Sequence, residues 1–223
     1  MISPAKRHLM RVKAAQEAAK AADSQVRPDA SQYELMLAQL YEHKRRLKGV
    51  ESMKTRAEIK RELLPEYEPY ITGVLQSNAG IQDDVLTTIM LWCIDAGEHI
   101  KALELAEYAM RHNLTMADSF SRSLPCLLAE QFAEAVLKNE DAVPANVLYQ
   151  VGELTLNQDM PDQVKAKLHK AIGTVLLESD PAEALTNLQA AYEYDDRSGV
   201  KTQIKKLEKQ LEQNKPGSDS EPA

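Results

Sequence analysis

Glycine occurs only eight times in this 223-residue chain, and no cluster of glycines precedes a lysine. A phosphate-cradling loop needs bare backbone at such a cluster, so an ATP-driven motor of that kind is excluded. No serine stands in a glycine-flanked elbow, which sets aside the hydrolases built on one. The five histidines, at 8, 43, 99, 112 and 169, are dispersed, and none has another four residues on, as paired helical metal ligands do. The two cysteines, Cys93 and Cys126, have no Cys or His at zinc-ligand spacing. They read as buried thiols of a reducing compartment. The longest apolar run, Val85 to Ile94, falls short of the ~20 residues that span a bilayer. The opening MISPAKRHLMRVKAA has no apolar signal-peptide segment. No cofactor, metal or membrane is therefore expected.

Aromatic residues amount to 5%, while Ala, Leu, Glu, Lys and Gln, the strong helix formers, dominate. With 43% hydrophobic and 27% charged residues, the composition predicts an all-α globular protein. The net charge of −7 hides an asymmetry. Residues 1–62 hold 14 Lys/Arg against 8 Asp/Glu, and the remainder holds 13 against 26. A basic arm on an acidic body suits contact with a polyanion at one end; cations clustered by chance on solvated helix faces give the same count.

The least polar stretch runs from Leu64 to Asn113. Within it, Val85 to Ile94 is apolar on more than one helical face, the pattern of a helix buried on most sides. Asp83 and Asp84 suit its N-terminus, and Gly97 its C-terminus. A second helix follows with Ile100, Leu103, Ala106 and Met110 on one stripe. The two form a hairpin and the expected core.

Around this pair, Ser3-Pro4 opens a helix to Ala22 with only Leu9 and Val12 as an apolar side. So thin a side leaves it mobile until a partner orders it. Residues 23–30 read as a linker, and a capping box at Ser31–Glu34 opens a helix with Tyr33, Leu37, Leu40 and Leu47 inward. A basic helix from Ser52 to Leu63 is expected to stop at Pro65. Beyond a polar connection over 114–124, helices follow from Pro125, Pro144, Pro161 and Asp180-Pro181. A separate final helix carries Val200, Ile204, Leu207 and Leu211 at a/d-like spacing and should pair with another helix. EHIKALELAEYAMRHN and DPAEALTNLQAAYEYD echo each other and resemble second helices of tetratricopeptide-type hairpins, but they start 82 residues apart, not at the ~34-residue period of that repeat. The expected layout is a basic helical region over 1–62, a core over 63–140, C-terminal hairpins over 141–213 and a disordered tail over 214–223.

The stretches LPEYEPYITGVL, QDDVLTTIMLWCIDAG, ALELAEYAMRHNLTM and SLPCLLAEQFAEA resemble the terminase small subunit of temperate contractile-tailed bacteriophages. This is the M-protein family, often labelled the terminase endonuclease subunit. The resemblance extends from Ile2 to Leu211, is strongest between Leu64 and Ala135, and carries no short catalytic motif. It implies a subunit that binds viral double-stranded DNA at a packaging site, forms a homo-oligomer and recruits the terminase large (ATPase) subunit in the host cytoplasm.

The residues themselves offer two basic clusters for duplex phosphates: Lys6, Arg7, Arg11 and Lys13, then Lys44, Arg45, Arg46 and Lys48. The second is equally explained by cations at a helix C-terminus. Two helices over 31–62 around Gly49 permit a helix-turn-helix variant without demanding it. For a nuclease, Asp83, Asp84, Glu98 and His99 can converge at neighbouring helix ends, though capping accounts for each alone. Glu140-Asp141 and Asp195-Asp196 read as loop acids. Two alternatives stay open: this subunit is itself the metal-dependent endonuclease, or it is a tetratricopeptide-like adaptor binding protein only.

Overall fold

The computed structural model describes residues 3–24, 31–117 and 121–213, and among them the regular structure is helical throughout. The chain forms two compact units, Met1–Leu124 and Pro125–Ala223. The first holds α1 (Pro4–Ser24), α2 (Ser31–Lys48), α3 (Met53–Ser77), α4 (Asp84–Ala96) and α5 (His99–Arg111). The second holds α6 (Leu124–Lys138), a short 3-10 turn (Glu140–Ala142), α7 (Ala145–Thr155), α8 (Asp162–Leu176), α9 (Pro181–Tyr194) and α10 (Lys201–Gln213). The expected tail at 214–223 lies outside the described residues, as do 25–30 of the expected linker and 118–120 of the polar connection.

Every residue from Val85 to Ile94 is buried, as the apolar pattern requires of α4. The Asp83 carboxylate accepts the Leu86 N–H at 3.0 Å. At the far end Gly97 takes φ 83°, where any side chain would be strained, and the Glu98 N–H closes on the Cys93 carbonyl at 2.8 Å.

Helix α3 corrects the sequence reading. Instead of stopping at Pro65 it continues through Pro65 and Pro69 to Ser77. An internal proline costs a helix about 3 kcal/mol. Past Pro65 the helix buries Tyr67, Tyr70, Ile71 and Val74 to 2% exposure or less. At ~1.5–3 kcal/mol per large apolar side chain, that burial outweighs both prolines.

Helix α1 is docked rather than loose, and through different residues from those expected. Leu9 is 54% exposed, whereas Met10 and Ala14 are buried. The docking works because α1 and α3 approach through small residues. A Cβ on Gly73 would stand 2.3 Å from the Arg11 carbonyl oxygen and 2.9 Å from the Ala14 Cβ. The start of α2 is served from α1, since Glu17 carboxylate oxygens accept the Gln32 N–H at 3.1 and 3.3 Å. In α5 the inward face is His99, Ala102, Leu103, Leu105, Ala106 and Ala109. Ile100, expected inward, is instead 73% exposed. It falls on the polar side with Glu104, Glu107 and Arg111, at helical spacings of four, seven and eleven.

In the second unit, α9 begins as expected, with the Asp180 carboxylate accepting the Glu183 N–H at 3.0 Å. Gly173 of α8 lies so close to α9 that a Cβ there would meet the Leu188 Cγ at 2.8 Å. The two echoed segments form α5 and α9, each packed on the helix before it. Helix α10 packs on α9, with Val200 and Leu207 buried.

Gly73→Ala tests the α1–α3 seam. Alanine normally gains about 1 kcal/mol over glycine inside a helix. Here the added carbon meets rigid backbone, and overpacking of ~1–3 kcal/mol should prevail. We expect a lower unfolding midpoint and faster amide exchange along α1, measured by denaturant titration and hydrogen exchange.

Candidate nucleic-acid interface and the adjoining cleft

The structure divides the predicted DNA-contacting residues between open surface, the rim of a cleft and contacts within the fold. On α1, Lys6 and Lys13 are seven residues apart, share a face and are exposed. Arg7 and Arg11, four apart, share another face and line a cleft of about 650 Å³ framed by α1, α3, α4 and α5. Arg11 Nη2 lies 3.1 Å from His8 Nδ1.

On α2, Arg45, Arg46 and Lys48 are exposed in the last turn. Arg45 pairs with Glu42 at 2.5 Å, one turn back and also exposed, so the pair adds little to stability. Lys44 is half-buried, and its ammonium donates to Thr88 Oγ1 of α4 at 3.3 Å. Burial lowers its pKa below 10.5, and the nearby Asp84 opposes this. His43 Nδ1 and the Tyr67 hydroxyl share a 2.8 Å hydrogen bond.

The basic residues of α3 are mostly engaged in holding the fold. Lys60 pairs with Asp95 and sits 6.0 Å from the centre of the Trp92 ring. Arg61 Nε donates to the Ala96 carbonyl at 3.1 Å. Both cations therefore stand at the negative end of the α4 dipole. Arg56 Nε donates to the Val50 carbonyl at 2.5 Å. The turn between α2 and α3 spans only residues 49–52, leaving Met53, Lys54 and Thr55 exposed at the α3 start.

The carboxylates weighed for metal chemistry do not converge. Asp83-Asp84 and Glu98-His99 stand at opposite ends of the 13-residue α4, about 20 Å apart by helix rise. Asp83 is fully buried, with Leu86 N–H on one oxygen and the Tyr70 hydroxyl donating to the other at 2.5 Å. Asp84 Oδ1 accepts from Gln82 Nε2 at 2.9 Å. Among the described residues no three His, Cys, Asp or Glu side chains are grouped as metal ligands. Cys93, on the cleft floor, has its thiol pKa pushed up to about 12, chiefly by burial and then by Glu68. Cys126 is buried as well.

Sequence reasoning missed the cleft. Its lining runs from Pro4 to Leu105, and only the i, i+4 spacing of Arg7 and Arg11 hinted at a shared face. No helix among the described residues is long and apolar enough to cross a membrane.

Comparison with known proteins gives the family of the chain. The family described as phage small terminase subunit matches residues 37–163. The chain is 42% identical over 226 residues to the terminase, endonuclease subunit of Escherichia phage P2, covering 100% of this chain and 90% of that one. It is 26% identical over 179 residues to the probable terminase, endonuclease subunit of Haemophilus phage HP1 (strain HP1c1), covering 71% and 64%. No solved structure matches.

Two stability measurements follow from the site. Asp83→Ala removes a cap worth ~0.5–2 kcal/mol and strands a buried hydroxyl at ~1–3 kcal/mol, so a loss of about 2–4 kcal/mol is expected on urea unfolding. Burial holds His99 below its ordinary 6.5, with Glu98 opposing. The unfolded chain then binds more protons below that value, so stability should fall as pH drops through 6.5. His99→Gln should flatten this part of the profile.

Proposed function

Because the chain belongs to the phage small terminase subunit family, we propose that it binds viral double-stranded DNA at the packaging site and brings the large ATPase subunit to it. The full-length 42% identity carries this reading. The chemistry comes from Lys6, Lys13, Arg45, Arg46 and Lys48, exposed cations on the amino-terminal unit of a chain with net charge −7. Each phosphate contact releases counterions and is individually weak. A homo-oligomer in the host cytoplasm would multiply such contacts along one duplex.

A second reading draws on the names of the two relatives, both endonuclease subunits. Cleavage would need carboxylates around a cation. Asp84, half-buried at the α4 start, is the more available of the two acids there, since Asp83 is committed to its cap.

The two readings separate in solution. Charge reversal at Lys6, Lys13, Arg45, Arg46 and Lys48 should weaken binding of a labelled duplex. The slope of log affinity against log salt should become shallower by about one for each phosphate no longer neutralised. An unchanged affinity and slope would refute the DNA face. Magnesium-dependent cutting of duplex by this chain alone, abolished in a folded Asp84→Ala variant, would establish the second reading.

A further inference from the structure

We infer that the cleft between α1, α3, α4 and α5 seats a short acidic peptide segment of a partner protein, its apolar side chains resting on the cleft floor. This goes beyond DNA binding and does not require it. The apolar lining that a ligand can touch is Pro4, Leu64 and Pro65, while Ile71, Ile89, Cys93 and Leu105 also line the cleft but are each 3% exposed or less. A volume of about 650 Å³ is enough to swallow a few side chains.

The rim decides the charge of the occupant. It carries Arg7, Arg11, Arg61 and Lys101 against Glu68 and Glu98. Lys101 is drawn to Glu68 at 3.3 Å and Glu104 at 2.9 Å, and Arg61 is held on the Ala96 carbonyl. Arg7 and Arg11 form no ion pair with a carboxylate among the described residues. Two guanidiniums one turn apart above an apolar floor match a ligand with carboxylates flanking apolar groups, because the planar fork binds a carboxylate with two parallel hydrogen bonds. A duplex backbone would meet the arginines yet leave the floor in water, which is why a peptide is the better occupant. The Gly73 seam fixes the α1 backbone as one wall, so the helix that carries both arginines is in place before any ligand arrives.

The test is a selection of short random peptides displayed on beads against the full-length chain, with Arg7→Glu/Arg11→Glu protein as counter-selection. Peptides with Asp or Glu around large apolar residues should emerge. A selected peptide should shift the methyl resonances of Leu64 first and of Ile89 beside it, and should bind about tenfold more weakly when its acids become amides. Arg7→Gln/Arg11→Gln, a milder surface change, should weaken binding similarly while far-ultraviolet circular dichroism stays unchanged. A consensus without acids, methyl shifts elsewhere, or shifts of the same methyls by a short DNA duplex would overturn the proposal.

Discussion

Ten consecutive buried residues in α4 impose the constraint from which the first unit follows. A helix without a solvent face has to be covered on every side, and the neighbouring helices are shaped by that demand. Helix α3 runs on through two prolines, α5 turns back at Gly97, and α2 reaches over with Lys44 to Thr88. Both ends of α4 are closed by side chains: Asp83, bonded in turn to Tyr70, at one end, and Lys60 and Arg61 at the other. The buried helix thus anchors itself through charges as well as through apolar area.

That anchoring determines which cations remain for other work. The basic excess of residues 1–62 is not one surface. Lys44, Arg56, Lys60 and Arg61 are bonded into the fold, Arg7 and Arg11 turn to a cleft, and Lys6, Lys13, Arg45, Arg46 and Lys48 face solvent. An exposed cation keeps its hydration until a polyanion replaces it, whereas a bonded one has little left to give. Net charge by region therefore overstates the positive surface. What matters is how many lysines and arginines the fold itself does not engage.

Much of the fold is readable because its signals are local. Asp83 and Gly97 mark the ends of α4, Asp180-Pro181 opens α9, and Val200 with Leu207 packs α10 on α9. The departures share one cause, tertiary packing that overrides a local rule. Pro65 does not stop α3 because burial beyond it is worth more than the missing hydrogen bond. Leu9 lies outside and Ala14 inside because Gly73 admits only a small neighbour. The candidate site is less readable. Residue types give the cations, but not whether each points out, in, or onto a carbonyl, and Asp83-Asp84 can be placed beside Glu98 only while the length of α4 is ignored.

If DNA meets the outward cations of the amino-terminal unit, where Lys44, Arg56, Lys60 and Arg61 are already bonded into the fold, binding should leave a local footprint. Amide hydrogen exchange of the full-length chain, with and without duplex DNA at moderate salt, reads that footprint most directly. Added protection is expected in the outward turns of α1, the last turn of α2 and residues 49–52, with α7 to α10 unchanged. Protection confined to residues 125–213 would contradict this placement of the DNA.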